Sequence, residues 1–274
     1  MAILRRTVSA AAALAVVLAL LLVASPAGAV IDGQEDVGNI YGNVGNWQLE
    51  FDGEWFGFCT GTLVTERVVL TAAHCMDFFG VEGGLPIEDL RITFDPTPDA
   101  TSTYYYVDRI VIHPGWATRP ALKGNSKRLG LAPSAEDIAL VWLKTDVAGI
   151  QPAAIPDEVG MLDELNLTSE TFTVVGYGLQ GFVTGSAMSR APIVLDSGNR
   201  NYKNVSVITR HEAFADRFVK ITASTCFGDS GGPLFLGDMV VAINTWTSSM
   251  RCTAPSFSYR LDSAAAQQFL DTHL

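Results

Sequence analysis

Short runs of β-branched and aromatic residues, broken by Gly, Pro, Asn and Asp, recur along the chain after Val30. Helical periodicity occurs only near the end, where 263–270 predicts a short helix that buries Ala265, Phe269 and Leu270. This pattern predicts many short antiparallel strands, and therefore an all-β sandwich or barrels. The runs that we expect to be strands are 62–70, 103–112, 138–143, 171–177, 205–208 and 239–246.

The first 29 residues have the pattern of an export signal. Arg5 and Arg6 precede a largely apolar run over 10–24, and Ala27-Gly28-Ala29 is an A-x-A cleavage pattern. An uncleaved membrane anchor is the weaker alternative, because the run is shorter than the roughly 20 residues that span a bilayer. We therefore expect 1–29 to be a signal peptide and the protein to be secreted and extracellular. The arginine pair also fits twin-arginine export.

The chain is acidic, with 18 basic and 29 acidic residues and a formal charge of −11. Removal of 1–29 takes away two arginines and no acid, so the mature net charge is about −13. Such a chain should repel nucleic acid and anionic membranes. We expect no nucleic-acid partner, and no membrane contact after signal cleavage.

The chain has four cysteines, and an even number in an exported chain favours disulfides over free thiols. The sequence alone allows three pairings. Their spacing lacks the C-x-x-C pattern of zinc sites, so we expect no metal and no other cofactor. The four are Cys59, Cys75, Cys226 and Cys252.

A break between two strand-rich halves falls at 150–156, where Pro152 and Pro156 interrupt strand pairing. The sequence therefore predicts an N-terminal unit over 30–150 and a C-terminal unit over 151–274.

Three segments carry side chains suited to nucleophilic catalysis: 70–75 with His74, 137–141 with Asp137, and 225–234 with Ser230. A serine hydroxyl is a poor nucleophile at neutral pH. It needs an imidazole to take its proton and a carboxylate to fix the imidazole tautomer. His74 and Asp137 fit these roles for Ser230, which predicts a serine hydrolase.

Glycines at 228, 231 and 232 allow a sharp turn around Ser230. The amides of Gly228 and Ser230 can then converge on a carbonyl oxygen as it gains charge, which predicts an oxyanion hole.

Two alternatives to a serine hydrolase of this kind remain open. The run also matches the G-x-S-x-G elbow of α/β-hydrolases, but these need a histidine after the serine, and only His273 follows. The second alternative is a non-catalytic binding module.

These motifs, together with 58–63, 175–178 and 245–246 ahead of Cys252, resemble those of chymotrypsin-like serine proteases of the trypsin fold. The resemblance covers essentially 30–274 and is strongest to the secreted bacterial branch. It implies two six-stranded antiparallel β-barrels with a short C-terminal helix. It also implies that His74 and Asp137 come from the first barrel, and Ser230 and the specificity pocket from the second.

The same resemblance implies disulfides that pair Cys59 with Cys75 and Cys226 with Cys252. It implies an endopeptidase that forms an acyl-enzyme, cleaves polypeptides and can be bound by protein inhibitors. We expect the protein to be a monomer. It further implies that Asp229 pairs with a newly freed N-terminal ammonium. Here the ammonium would be that of Val30, exposed by signal cleavage itself. Asp32 departs from the family's usual glycine and adds a carboxylate near this ammonium, so a simple surface terminus is the alternative.

The resemblance also implies which side chains line the specificity pocket. Ser224 would form its floor, where trypsins carry an aspartate, so preference for Arg or Lys is not expected. Thr247 and Ser256 would stand where relatives have glycines, and would narrow the pocket beside Thr225 and Trp246. We therefore expect cleavage after small or medium uncharged residues.

Overall fold

In a computed structural model, the chain forms two antiparallel β units. The structure describes residues 30–80, 84–117, 136–183, 193–196, 198–210, 216–222, 225–247, 249 and 252–274. The predicted signal peptide, 1–29, lies outside these residues. Within the described part, no helix is long and apolar enough to cross a membrane.

The first unit is a closed barrel of six strands. Its interior is filled by fully buried apolar side chains, among them Trp47, Leu63, Leu70 and Ile92. All four residues of the strand Val68–Thr71 are buried, as expected of a strand covered on both faces. The strands are β2 (Val44–Phe51), β3 (Glu54–Leu63), β4 (Val68–Thr71), β5 (Leu90–Thr93), β6 (Tyr105–Ile112) and β7 (Ala139–Leu143), in the barrel order β2-β3-β4-β7-β6-β5.

The second unit is an eight-stranded sheet that includes a strand from the N-terminal segment, β1 (Gln34–Glu35). The other seven are β8 (Phe172–Gly176), β11 (Asn201–Val205), β12 (Val207–Arg210), β13 (Phe218–Ile221), β14 (Pro233–Leu236), β15 (Met239–Thr247) and β16 (Ser256–Arg260). Their order is β1-β11-β8-β14-β15-β16-β13-β12. A separate two-stranded ribbon consists of β9 (Leu179–Val183) and β10 (Ile193–Asp196).

In the part of the chain that the structure describes, helices are short except at the C-terminus. They are α1 (Ala73–Met76), α2 (Pro114–Ala117), α3 (Met161–Glu164) and α4 (Ala264–His273), with a 3₁₀ turn at Ile87–Asp89. The side chain of Ser263 caps α4 by accepting from the Ala266 N–H at 3.3 Å. The predicted helix is therefore present, and Phe269 and Leu270 are buried as expected. Ala265 is only half-buried, because the helix turns Ala266 inward instead.

Two of the predicted strands are each divided. The run 62–70 spans the end of β3, a turn and the start of β4, because the Thr65 hydroxyl accepts from the N–H groups of Arg67 and Val68 and closes a turn. The run 205–208 is split at Ser206, whose N–H donates to Thr222 instead of continuing the strand. The other four runs match β6, β7, β8 and β15 to within two residues.

The predicted fold class is confirmed: the chain is nearly all β, with a closed six-stranded barrel, a curled second sheet and a short C-terminal helix. Paired strands in both units run antiparallel, whereas an α/β-hydrolase needs a mostly parallel sheet. The nucleophile-elbow alternative is therefore wrong. The predicted boundary between 150 and 151 falls between β7 and β8, and the division into two domains stays a prediction.

Candidate active site

Strand pairing brings His74 and Asp137 together. β4 and β7 are antiparallel neighbours, with Thr71 opposite Ala139. Continuing that register two residues beyond each strand sets Ala73 opposite Asp137, and α1 begins at Ala73. Residues 63 positions apart in the chain therefore meet at one end of the first barrel.

The Asp137 carboxylate holds the imidazole of His74 through two contacts. Oδ2 lies 2.8 Å from Nδ1 of the ring, and Oδ1 accepts from the His74 backbone N–H at 2.9 Å. Asp137 is buried, while the His74 side chain is 19% exposed. A carboxylate only accepts, so Nδ1 carries the proton and Nε2 is left as the basic nitrogen. The pair has the geometry of a general base with its orienting acid.

Ser230 lies in a tight turn just before β14, and backbone hydrogen bonds fix this turn on several sides. The Gly232 N–H donates to the Asp229 carbonyl at 3.1 Å, and the Gly231 N–H donates to the Asn244 carbonyl at 2.8 Å. Gly231 has a φ of +77°, and a Cβ there would lie 2.1 Å from the Thr71 hydroxyl oxygen. Glycine is therefore required by both the backbone conformation and the close approach of the first barrel.

The Ser230 turn contacts the first barrel next to His74. The Thr60 N–H donates to the Ser230 carbonyl at 2.8 Å, and Sγ of Cys75, the residue after His74, lies 3.7 Å from the same oxygen. The backbone of Ser230 is therefore tied to the barrel that carries His74 and Asp137. Among the contacts of the described residues, no hydrogen bond joins the Ser230 hydroxyl to the His74 ring.

The two amides predicted to form an oxyanion hole, those of Gly228 and Ser230, find no acceptor among the described residues. Their peptide groups are nevertheless fixed from the carbonyl side. The Leu179 N–H donates to the Phe227 carbonyl at 2.7 Å, and Gly232 holds the Asp229 carbonyl. Because a trans peptide points its N–H opposite to its C=O, these bonds fix the directions of the Gly228 and Ser230 N–H groups.

Asp229 turns its side chain away from Ser230 into a fully buried site. Its oxygens accept from the Gly178 N–H at 2.9 Å and the Cys226 N–H at 2.8 Å. A Cβ at Gly176 or Gly178 would lie within 2.2 and 2.6 Å of this carboxyl, so the Gly-Tyr-Gly segment encloses it closely. Burial raises the pKa of Asp229 to about 7, although hydrogen bonds from the Cys226, Gly178 and Val30 backbones lower it.

Val30 is the first residue that the structure describes, and its side chain is fully buried. Its backbone donates to the Asp229 carboxyl, which brings together the two partners of the predicted activation pair. The departure at Asp32 is accommodated at the surface. The Asp32 side chain is 88% exposed and its carboxylate lies 4.0 Å from Nζ of Lys203, which also donates to the Ile31 carbonyl.

Hydroxyl contacts link the described residues of the predicted specificity pocket. The Ser256 Oγ accepts from both the N–H and the hydroxyl of Thr225, each at 2.8 Å. The Thr247 hydroxyl donates to the Ala254 carbonyl at 3.3 Å, and Trp246 stacks on Phe257 with ring centroids 3.9 Å apart. Ser224, the predicted floor, lies outside the described residues.

Two disulfides flank the site, and they are the pairs that the resemblance implies. Cys59 is bonded to Cys75 beside His74, and Cys226 is bonded to Cys252 next to the predicted pocket residue Thr225. Cys59, His74 and Cys75 cluster closely enough to hold a metal ion. Both sulfurs are bound to each other, however, and only a thiolate is a good metal ligand, so we assign no metal to this cluster.

Sequence reasoning missed two features next to the site. One is the role of Thr60, which lies in the motif 58–63 but was given no role from the sequence. The other is Arg200, fully buried with its guanidinium on Asp36, the carbonyls of Val44 and Phe94, and the Tyr177 hydroxyl. No signal in the sequence marks Arg200, because an arginine in a polar segment is normally exposed. The motif around Cys59 does mark the neighbourhood of Thr60.

Comparison with known proteins gives the same assignment as the fold. Residues 37–266 match the family profile described as Trypsin. The chain is 27% identical to a trypsin of Phaedon cochleariae, over 77% of this chain and 76% of that protein. It is 28% identical to chymotrypsin-like elastase family member 1 of Rattus norvegicus, over 81% and 80%, and 29% identical to chymotrypsin-C of the same organism, over 75% and 71%.

The fold and these matches together define a serine endopeptidase, a hydrolase of peptide bonds. The chain belongs to the trypsin family. The relatives named above are animal proteins and do not support the bacterial branch, which stays a prediction. Polypeptide substrates follow from the family.

Proposed function

We propose that the chain is a secreted endopeptidase that cleaves through a Ser230–His74–Asp137 triad and a covalent acyl-enzyme. The observation that carries this proposal is the pair of hydrogen bonds from His74 to Asp137, in a barrel whose strand β3 is bonded to the Ser230 turn. With Nδ1–H donated to Asp137, the lone pair of Nε2 is available to accept the proton of the Ser230 hydroxyl.

In the first half-reaction, Ser230 Oγ attacks the scissile carbonyl carbon while its proton passes to Nε2 of His74. The new oxyanion is stabilised by the N–H groups of Gly228 and Ser230. It collapses as the C–N bond breaks, and the leaving amine takes the proton from His74. In the second half-reaction, water attacks the acyl carbonyl carbon and gives a proton to His74. The ester C–O bond then breaks, and His74 returns this proton to Ser230 Oγ as the acid product leaves.

The proposed preference is for small or medium uncharged side chains before the scissile bond. The contacts of Ser256 with Thr225 and of Thr247 with Ala254 support a pocket in which hydroxyl groups occupy space that glycines would leave open. Pairing a substrate Arg or Lys would need a carboxylate on the pocket floor, where this chain has Ser224.

The proposed activation is signal cleavage after Ala29, which would convert the Val30 amide into an ammonium next to Asp229. Two observations support it. Asp229 is a fully buried carboxyl whose described hydrogen-bond donors are backbone amides, so a cation there would offset its desolvation. Val30 has a φ of +59°, which is strained for a β-branched residue, and cleavage removes the preceding carbonyl that creates the strain.

The remaining parts of the proposal concern location and partners. Residues 1–29 support export and an extracellular protein without membrane contact after cleavage, and membership of the bacterial branch rests on motif resemblance alone. The proposal also includes protein inhibitors as partners, which would bind where the substrate binds. It further includes a monomeric state.

The decisive test is covalent labelling of the mature protein by a fluorophosphonate, which reacts with activated serines. We expect one label per chain, mapped to Ser230, and its loss in Ser230→Ala. His74→Ala should slow labelling by about a thousandfold or more. Ser169→Ala, at an exposed serine, is the control and should label like the wild type. An unlabelled wild type would favour the alternative of a non-catalytic binding module.

A further inference from the structure

We propose that Thr60 is a positioning residue for catalysis, whose hydroxyl sets the conformation of the oxyanion turn, defined here as residues 226–231. The inference deepens the proposed function and rests on it. Thr60 lies on β3 of the first barrel, whereas the oxyanion turn belongs to the second unit. It therefore acts across the contact between the two units.

Thr60 is fully buried and makes four hydrogen bonds with other described residues. Its hydroxyl donates to the Gly228 carbonyl at 2.7 Å and accepts from the Tyr177 N–H at 3.2 Å. Its N–H donates to the Ser230 carbonyl at 2.8 Å, and its carbonyl accepts from the Thr71 hydroxyl at 2.8 Å. One side chain and its own backbone thus contact both residues that supply the proposed oxyanion amides.

Gly228 needs such an external hold because of its own conformation. Its φ is +100°, and a Cβ there would lie 2.7 Å from the Gly178 Cα, so another residue cannot take its place. Glycine samples a wide range of φ and ψ, so nothing in the residue itself selects one orientation of its amide. The Leu179 bond to the Phe227 carbonyl fixes the peptide before Gly228. The peptide after Gly228 is held at both of its polar groups: the Gly228 carbonyl accepts from the Thr60 hydroxyl, and the Asp229 N–H donates to the Cys226 carbonyl at 3.0 Å.

Thr60 also connects the oxyanion turn to the proposed base. It follows Cys59, which is bonded to Cys75, the neighbour of His74. Oxyanion donors and base must keep a common frame, because a misplacement of about 1 Å can cost about a hundredfold in rate. The Thr60 hydroxyl supplies the bond by which the first barrel holds the Gly228 carbonyl.

The test compares Thr60→Val, which keeps the shape and removes the hydroxyl, with Thr60→Ser, which keeps the hydroxyl. Thr62→Val is the matched control: Thr62 is equally buried on the same strand, and its hydroxyl has no partner among the described residues. Each mature protein is assayed for kcat and KM on a peptide amide, and for the Ki of a peptide aldehyde, whose adduct with serine places an oxyanion in the hole. Circular dichroism below the melting transition verifies folding.

For Thr60→Val we expect kcat to fall by about 10- to 100-fold, with KM changed less than about threefold and the aldehyde Ki raised in proportion to the loss of kcat. Thr60→Ser should stay within about threefold of the wild type, as should Thr62→Val. A role in stability alone would lower the melting temperature and leave the Ki unchanged. If Thr60→Val does not fold, Thr60→Ala is compared with Thr60→Ser in the same way.

Equal kcat in the Thr60→Val and Thr62→Val proteins, or a loss that Thr60→Ser does not rescue, would overturn the inference while the triad stands. Equal kcat in Thr60→Ala and Thr60→Ser would do the same in the second comparison. A wild-type protein that neither cleaves peptides nor reacts with the fluorophosphonate would overturn the proposed function and this inference together.

Discussion

Nδ1 of His74 lies 2.8 Å from Oδ2 of Asp137, and the backbone N–H of His74 donates to Oδ1 of the same carboxylate. The two bonds fix the position of the ring and its tautomer together. Asp137 is buried, so water competes little for its oxygens. The pairing of β4 with β7 therefore sets the orientation of the His74 ring, the proposed base.

Asp137→Asn should preserve the fold but reverse the tautomer, because an amide nitrogen can donate to Nδ1 and leave the proton on Nε2. We expect kcat on a peptide amide at pH 7 to fall about 10⁴-fold, the size typical of this change in serine triads. Asp108→Asn, at an exposed acid on β6, is the control and should be neutral. A loss below about tenfold would contradict the assignment of Asp137.

The pair of Val30 and Asp229 predicts a pH dependence that signal cleavage changes. In a chain that retains residues before Val30, burial raises the Asp229 pKa from its usual 3.8 to about 7. The native state then holds a proton that the unfolded state releases. The free energy of unfolding should therefore fall by roughly 4 kcal/mol between pH 4 and pH 7 and level off above that.

In the chain that begins at Val30, the ammonium favours the ionised carboxylate and lowers the Asp229 pKa, so this fall should be much smaller. Urea unfolding from pH 4 to pH 8 of the mature chain, and of one that begins at Gly28, measures the difference. Asp229→Asn in the longer chain should remove its extra pH dependence. Identical pH profiles for the two starting points would count against the activation pair.

Widening the pocket should change which peptide bonds are cut. Thr247→Gly removes a half-buried hydroxyl whose two hydrogen bonds are long, 3.3 Å to the Ala254 carbonyl and 3.4 Å from the Ser249 N–H, so the fold should tolerate it. We expect kcat/KM for substrates with Phe before the scissile bond to rise about tenfold or more relative to Ala. Ser256→Gly should act in the same direction but cost about 1–3 kcal/mol of stability, because the Thr225 N–H loses its acceptor.

A peptide panel assayed on the wild type and both variants gives this result directly, and Ser169→Gly at an exposed position controls for nonspecific effects. Fastest cleavage after Arg or Lys by the wild type would disprove the uncharged-pocket proposal.

The buried ion pair of Arg200 and Asp36 predicts a large loss of stability when one partner is removed. Nε of Arg200 lies 2.9 Å from Oδ2 of Asp36, and both side chains are fully buried. Arg200→Met leaves an uncompensated carboxylate and should lower the free energy of unfolding by about 3–5 kcal/mol. Arg109→Met, at an arginine with 56% side-chain exposure, should cost less than about 1 kcal/mol. Urea unfolding at pH 7 measures both, and equal losses would be inconsistent with the contacts of Arg200.

Much of the fold could be predicted because its signals are local. Four strands matched within two residues, since β-branched runs bounded by turn residues suit short buried strands. The predictions of single strands over 62–70 and 205–208 were wrong, because side-chain hydrogen bonds divide each of these runs. Thr65 holds a turn inside one run, and Thr222, distant in the sequence, ends the pairing of the other.

The residues of the site could be named from their chemistry, but their mutual arrangement could not. His74, Asp137 and Ser230 were predicted from residue type and motif, and the structure adds the contacts of His74 with Asp137. Thr60 and Arg200 could not be assigned, because their roles depend on partners more than 100 residues away in the chain. Such contacts leave no periodic or compositional trace.

The sequence by itself determined the kind of fold, the types of reactive side chain and the glycines around Ser230, because hydrophobic patterning, functional groups and backbone freedom are properties of residues and their neighbours. Only the tertiary structure decided which groups meet. The register of β4 with β7 brings His74 to Asp137, and burial joins Val30 to Asp229 and Arg200 to Asp36. The packing of the first barrel against the second unit brings Thr60 to Gly228. Strand register and burial are set by packing the whole chain at once, so no local segment encodes them.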